Sequence, residues 1–323
     1  MQMHHSRTVV SSANVACATD RPANEEIMKL FNRVLTHATD NVTQNSWWVQ
    51  HTPLVRIDHP WCASGVRCSS LDYPAYIRCS AEAGANRAAT PHNEGEWPLC
   101  ARLLLSGAGA ASSHPPLAYS FGIAGDFGFD DQMAALGFEV HSFDPTTSLR
   151  AKHEAHGNSS NNVHFHYAGL QAESSCQHKG ANSGGSYGAL GGELVPLAEL
   201  RRRLGHAPSD RRLEVLKIDC EGCEWAAFWH MAMQDPDALS QLRVLLIEIH
   251  VSAPLKMSKP HDFRMFEEFF QFVFVRHGFR IAYLRGNQGG WRDRHVADDM
   301  RRLGATAGQC CYELMLVRPD SII

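Results

Sequence analysis

The chain has no run approaching the ~18 apolar residues of a membrane-crossing helix. Its first twenty residues, MQMHHSRTVVSSANVACATD, hold an apolar stretch too short for a secretory leader. These absences predict a soluble, intracellular chain with no membrane span. An excess of either charge is also missing: 30 Lys and Arg stand against 34 Asp and Glu, for a formal net charge of −4. That balance argues against a general nucleic-acid binder, so the expected partners exclude nucleic acid. The pattern G-x-G-x-x-G does not occur, which removes the dinucleotide fingerprint. No second CxxC accompanies Cys220 and Cys223, so four-ligand zinc spacing is missing and no metal ligand is assigned. Those two cysteines are expected to be small loop residues. Internal repeats are absent as well.

Cysteine itself is plentiful. Ten in 323 residues are many for a cytosolic enzyme yet too few for a disulfide scaffold. The sequons at Asn41 and Asn158 matter only in a secretory compartment. A hydrophobic fraction of 44% supplies a sizeable core. The basic run Arg201–Arg203 with Arg211 and Arg212 is expected to coat a solvated helix end.

Residues 1–93 are heterogeneous. EEIMKLFNRVLTH, from Glu25 to His37, puts Ile27, Leu30, Phe31, Val34 and Leu35 on one helical face. The remainder mixes Pro, Cys and aromatics and reads as an N-terminal extension. From about Ala118 the pattern becomes regular. Strands are expected over 118–123, 138–143, 162–167, 213–219, 243–250, 279–284 and 311–317. Helices are expected over 130–136, 147–155, 194–204, 223–233 and 262–276. This alternation predicts an α/β, Rossmann-like fold with helices on both faces of a mostly parallel seven-stranded sheet. Since no convincing helix precedes CCYELMLV, the last strand is expected to be antiparallel. Residues 180–192, GANSGGSYGALGG, read as a flexible loop.

The chemistry gathers at the carboxyl ends of these strands, where open α/β sheets bind ligands. After the first, YSFGIAGDFGFDD carries Gly122, Gly125 and Gly128, a turn able to bring backbone amides close to a ligand. The second, FEVHSFDP, ends in Asp144, twenty-two positions after Gly122 (144 − 122), where a carboxylate can take both hydroxyls of a ribose. The third, VHFHYAGL, ends in Gly169-Leu170, a position to border an adenine ring. Its His164 and His166 share one strand face. The fourth, LEVLKIDCEG, delivers Asp219 and Glu221, and the fifth, RVLLIEIH, delivers Glu248 and His250. Such a group can accept or position a hydroxyl proton. His250 is the first candidate base, with Asp219 and Glu221 as positioners.

These segments, in this order, resemble the FkbM-related methyltransferase-like family, in the branch of probable methyltransferase-like proteins. The likeness spans about residues 94–318, and KIDCEGCEW is its most specific part. It implies a class I S-adenosylmethionine-dependent methyltransferase over residues 94–323, often acting on a hydroxyl. Gly122, Ile123, Ala124, Gly125 and Asp126 would then meet the methionine end of the cofactor, Asp144 its ribose, and Asp219 the sulfonium region. AGDFG departs from the family's G-x-N-x-G, with Ala124 in a glycine position. The expected reaction is O-methylation of an acceptor that is a small molecule, sugar or lipid. Two other readings compete: a cofactor-binding pseudoenzyme serving as an interaction module, and a nicotinamide-dependent oxidoreductase.

Overall fold

Seven of the sequence's apolar runs become one sheet. The protein is described here from a computed structural model over residues 76–78, 97–100, 114–157, 162–170, 191–250, 268–269, 271–287 and 311–318. The strands are β1 (Leu117–Phe121), β2 (Glu139–Phe143), β3 (Val163–His166), β4 (Leu213–Ile218), β5 (Val244–His250), β6 (Arg280–Asn287) and β7 (Cys311–Val317). Their spatial order is β6-β7-β5-β4-β1-β2-β3. Neighbours from β3 to β5 pair in parallel, and β7 pairs antiparallel with both β5 and β6. Six strands therefore share one direction and the last opposes them, as expected.

The helices are α1 (Gly128–Ala135), α2 (Arg150–Gly157), α3 (Leu197–Arg203) and α4 (Cys223–Gln234). Strand alternation sends successive side chains to opposite faces. Tyr119, Phe121, Leu216, Ile218, Leu245 and Ile247 join Leu200, Trp225 and Phe228 of α3 and α4 in one buried cluster. Ala118, Val140, Val215 and Leu246 join Phe129 and Met133 of α1 in the other. A sheet covered on both faces explains why β1, β5 and β7 are buried along their whole lengths.

Some expectations change. The third strand breaks at Tyr167, and Ala168–Leu170 leaves the main sheet to pair in parallel with Glu193–Val195. The helix expected over 262–276 is represented among the described residues by 268–269 and a π-helical turn, Gln271–Arg276. Arg201 is buried rather than solvated: its Nε donates to the His206 carbonyl (2.9 Å) and its Nη2 to that of Arg211 (2.7 Å). The strand Tyr76–Arg78 pairs with Pro98–Cys100 in a separate two-stranded ladder. The Glu25–His37 helix, nearly all of the 180–192 loop and both sequon asparagines lie outside the described residues. Among the described residues no helix is long and apolar enough to cross a membrane.

Candidate active site

Strand order reverses at β1, whose neighbours β2 and β4 lead away in opposite directions, and the ligand crevice of such a sheet opens there. The loops after β1 and β4 lie at these strand ends, and each contains a non-glycine residue in the left-handed region, Ala124 (φ 52°) and Glu221 (φ 57°). Such conformations cost about 1–3 kcal/mol and gather at functional sites. Ala124 holds the backbone shape that a glycine at its position would adopt without strain.

Gly122 (φ 75°) sits where the ends of β1 and β4 meet. Its N–H donates to the Phe143 carbonyl (2.9 Å), and the Asp219 N–H donates to Phe121 (3.1 Å). A Cβ on Gly122 would sit 1.5 Å from the Asp219 carbonyl oxygen. Hydrogen therefore lets the ends of β1 and β4 close on each other. Gly122→Ala is expected to prevent native folding, seen as loss of the cooperative melt in circular dichroism; a cooperative wild-type-like melt would remove this assignment.

Around this pair the expected cofactor residues divide. Ile123 is buried in the core. Ala124 and Asp126 are exposed, and Asp126 Oδ1 accepts the Gly128 N–H (2.9 Å) at the start of α1. The amides of Gly125 and Asp126 are both taken by the Ile123 carbonyl. Gly169 and Leu170 are both buried, and a Cβ on Gly169 would press on Pro145 (2.9 Å) and Leu194 (3.0 Å). Asp144 is 2% exposed and ties the loops together, accepting the Ala124 N–H on Oδ2 and the Thr146 N–H on Oδ1, each at 2.8 Å. A carboxylate offers about four lone-pair sites, so each oxygen keeps capacity for one more donor.

Sequence reasoning missed His153. It is 1% exposed, packs on Phe165 (ring centroids 4.1 Å apart), and among the described residues has no hydrogen-bond partner at either ring nitrogen. Its Nε2 would lie 4.0 Å from a Cβ on Gly125. Orphaned polar atoms of this kind are costly. Beside the Asp144 carboxylate and the left-handed loop, they fit a site that receives a polar, hydroxyl-bearing ligand. No local signal marks a histidine in mid-helix for that role.

The β4 and β5 ends meet through a residue that the sequence reading quoted without using. Glu224, fully buried in the first turn of α4, accepts the Gly222 N–H on Oε2 (2.9 Å). Its Oε1 takes both the backbone N–H (2.7 Å) and Nδ1 (3.0 Å) of His250. Trp225 Nε1 donates to the His250 carbonyl (3.0 Å). The Glu-Trp of KIDCEGCEW thus grips the end of β5. His250 Nε2 faces Glu221 (3.5 Å) and Glu248 (3.9 Å). Burial opposes charge on His250, but Glu224, Glu248 and Asp219 outweigh it and push its pKa up to about 10. Burial, then the Glu248 carboxylate, pushes Asp219 up to about 7. At neutral pH a ring held this way is an imidazolium without a lone pair to take a proton, while Asp219 titrates where a base would be useful.

Cys220 and Cys223 are joined in a disulfide, which corrects their assignment as plain small residues. Cys220 Sγ lies 3.6 Å from Glu224 Oε2, and as a disulfide sulfur it donates no hydrogen there. Ligand atoms of Asp219, Glu221 and His250 lie within 4.8 Å of one another.

A family profile described as a methyltransferase domain matches residues 85–284. No curated protein matches. A Streptococcus pneumoniae protein titled as a tRNA (m1A22) methyltransferase, in complex with S-adenosyl-L-methionine, is 14% identical over 67% of this chain and 72% of its own, with a TM-score of 0.32. An rRNA methylase from Streptococcus thermophilus is 9% identical over 63% and 87%, with a TM-score of 0.33. A 16S rRNA adenine methyltransferase from Catenulisporales acidiphilia, with the same cosubstrate, is 14% identical over 64% and 87%, at 0.31. The substrates in these titles belong to those proteins; the exclusion of nucleic acid and the restriction to small-molecule, sugar or lipid acceptors rested on the charge balance of the whole chain and are withdrawn. A net charge of −4 describes the whole chain and not the surface beside the crevice.

Proposed function

We propose that this chain, which belongs to the methyltransferase-domain family, transfers a methyl group from S-adenosylmethionine to an oxygen nucleophile. The narrower kinship with FkbM-type enzymes forms part of this proposal and rests on KIDCEGCEW. The carrying observation is the Asp219–Glu248 carboxylate pair beside the His250 imidazolium at the β4 and β5 ends. When bound, the cofactor supplies an electrophilic methyl carbon on a sulfonium.

The residues of the chain would do the rest. Asp144, already braced on two backbone amides, holds ribose hydroxyls with its remaining lone pairs, and His153 supplies a donor or acceptor nearby. Asp219, as a carboxylate, receives the acceptor's hydroxyl proton while the oxygen attacks in line. His250 is a positioning residue: its fixed positive charge holds Glu221 and Glu248 in place and balances the carboxylates. A hydroxyl acceptor needs such a base, which is why oxygen is favoured.

Asp144→Ala is expected to weaken S-adenosylmethionine binding by about 1.5–3 kcal/mol, the scale of lost charge-assisted hydrogen bonds. Calorimetry showing wild-type affinity in a folded Asp144→Ala protein would remove the ribose role. The activity itself is tested with a labelled methyl donor against a panel that includes RNA, peptides, sugars and lipids, followed by mass-spectrometric location of the label. Label on oxygen supports the reading. Label on nitrogen or carbon overturns it, and cofactor binding without transfer to any member of the panel favours an interaction module.

A further inference from the structure

A second cluster of titratable side chains lies away from the crevice, on the sheet face that α3 covers. Tyr119 of β1, Glu139 and His141 of β2, His166 of β3 and His206 after α3 converge there. The methyl-transfer chemistry uses none of them. Parallel register places Tyr119 beside His141 and gives both the same face. Gly205 (φ 73°) turns the chain after α3, and the His206 N–H donates to the Arg201 carbonyl (2.7 Å) while Arg201 Nε donates back to His206 (2.9 Å). The buried Arg201 thus fixes the position of the His206 ring.

Three ligand-type atoms meet at one point. Glu139 Oε1 lies 3.1 Å from His141 Nε2 and 3.4 Å from His206 Nε2, and the three atoms fall within 4.8 Å of one another. Tetrahedral zinc with bonds of about 2.0–2.2 Å separates its ligands by about 3.3–3.5 Å. The opposite end of each side chain is already anchored. Arg211 donates to Glu139 Oε2 (3.0 Å), His141 Nδ1 pairs with His166 Nε2 (2.9 Å), and His206 Nδ1 pairs with the Tyr119 hydroxyl (2.7 Å). Metal-bound imidazoles are characteristically oriented through their second nitrogen, and ligating carboxylates through their second oxygen.

We propose that Glu139, His141 and His206 form a zinc site that ties β2 to the loop after α3. Two imidazole nitrogens and one carboxylate oxygen are a donor set suited to zinc. Glu139, only partly buried, leaves a path for the ion and a fourth position for water. His141 Nδ1–H then donates to His166, and His206 Nδ1–H to the Tyr119 oxygen. The alternative is a metal-free network in which both Nε2–H groups donate to Glu139. The site is independent of the crevice, so its failure would leave the methyltransferase reading untouched.

The test uses the full chain, stripped with a chelator and titrated with Co²⁺ as a spectroscopic probe, then with Zn²⁺ in competition. The expected result is one Co²⁺ per chain, with the visible bands of a four- or five-coordinate ion that Zn²⁺ abolishes. Glu139→Gln combined with His206→Gln should weaken binding at least 100-fold while S-adenosylmethionine affinity and circular dichroism stay as in wild type. Tyr119→Phe, a milder change should the double variant fail to fold, should weaken it roughly tenfold by freeing His206. Absence of cobalt bands in the wild type overturns the proposal. So does cobalt affinity unchanged in Tyr119→Phe, or cobalt affinity lost in Asp219→Asn and kept in the Glu139/His206 variant.

Discussion

Asp219→Asn is expected to lower methyl transfer by about 10²–10⁴-fold, the range for a lost general base. Asparagine keeps the shape of the side chain and removes its proton acceptor. Wild-type kcat/KM should rise with pH and level off above about 7, because Asp219 must be ionised to act and its pKa is held near 7 by burial and by Glu248. Glu248→Gln removes the neighbouring negative charge, so the midpoint should move to lower pH. The same shift has a consequence for stability. A carboxyl group whose pKa is raised on folding contributes most below its unfolded value near 3.8, and that contribution is lost as pH rises through about 7. Asp219→Asn should therefore be thermally more stable than wild type at pH 8, even as it loses activity. A variant that keeps both the rate and the pH midpoint of the wild type would show that the base lies elsewhere.

Glu224→Ala is expected to destabilise the fold by about 3–5 kcal/mol, the cost of removing one partner from a buried charged pair. Three donors lose their acceptor together: the Gly222 N–H, the His250 N–H and His250 Nδ1–H. Gly222 closes the β4 loop and His250 ends β5, so both halves of the acidic cluster loosen. The pH dependence separates charge from packing. His250 is raised from 6.5 to about 10 on folding, so its stabilising contribution is complete below 6.5 and lost as pH rises through 10. In Glu224→Ala most of that contribution should vanish, and urea unfolding at pH 7 and pH 10.5 should differ less than in wild type. Equal pH dependence in the two proteins would show that Glu224 does not hold the charge on His250.

Much of this protein was legible in the order of its residues. Apolar runs and their spacing determined the strands of the sheet, because a strand buried on both faces needs apolar side chains along its length, as in Val244–His250. The same runs placed Asp144, Asp219, Glu248 and His250 at strand ends, since each run stops where a polar residue can reach solvent or a ligand. Contacts between distant positions were decided by the tertiary structure alone. Glu224 and His250 are 26 residues apart in sequence, and only the packing of α4 over β5 makes one the acceptor of the other. The role of Gly122 depends on how closely β1 and β4 approach, which no spacing encodes. Charge state follows the same rule. An isolated histidine is half-protonated near neutrality and an isolated aspartate far below it. Burying them together among carboxylates moves both upward, Asp219 to about 7 and His250 to about 10, because the energies that set these values depend on distance and burial rather than on residue type alone.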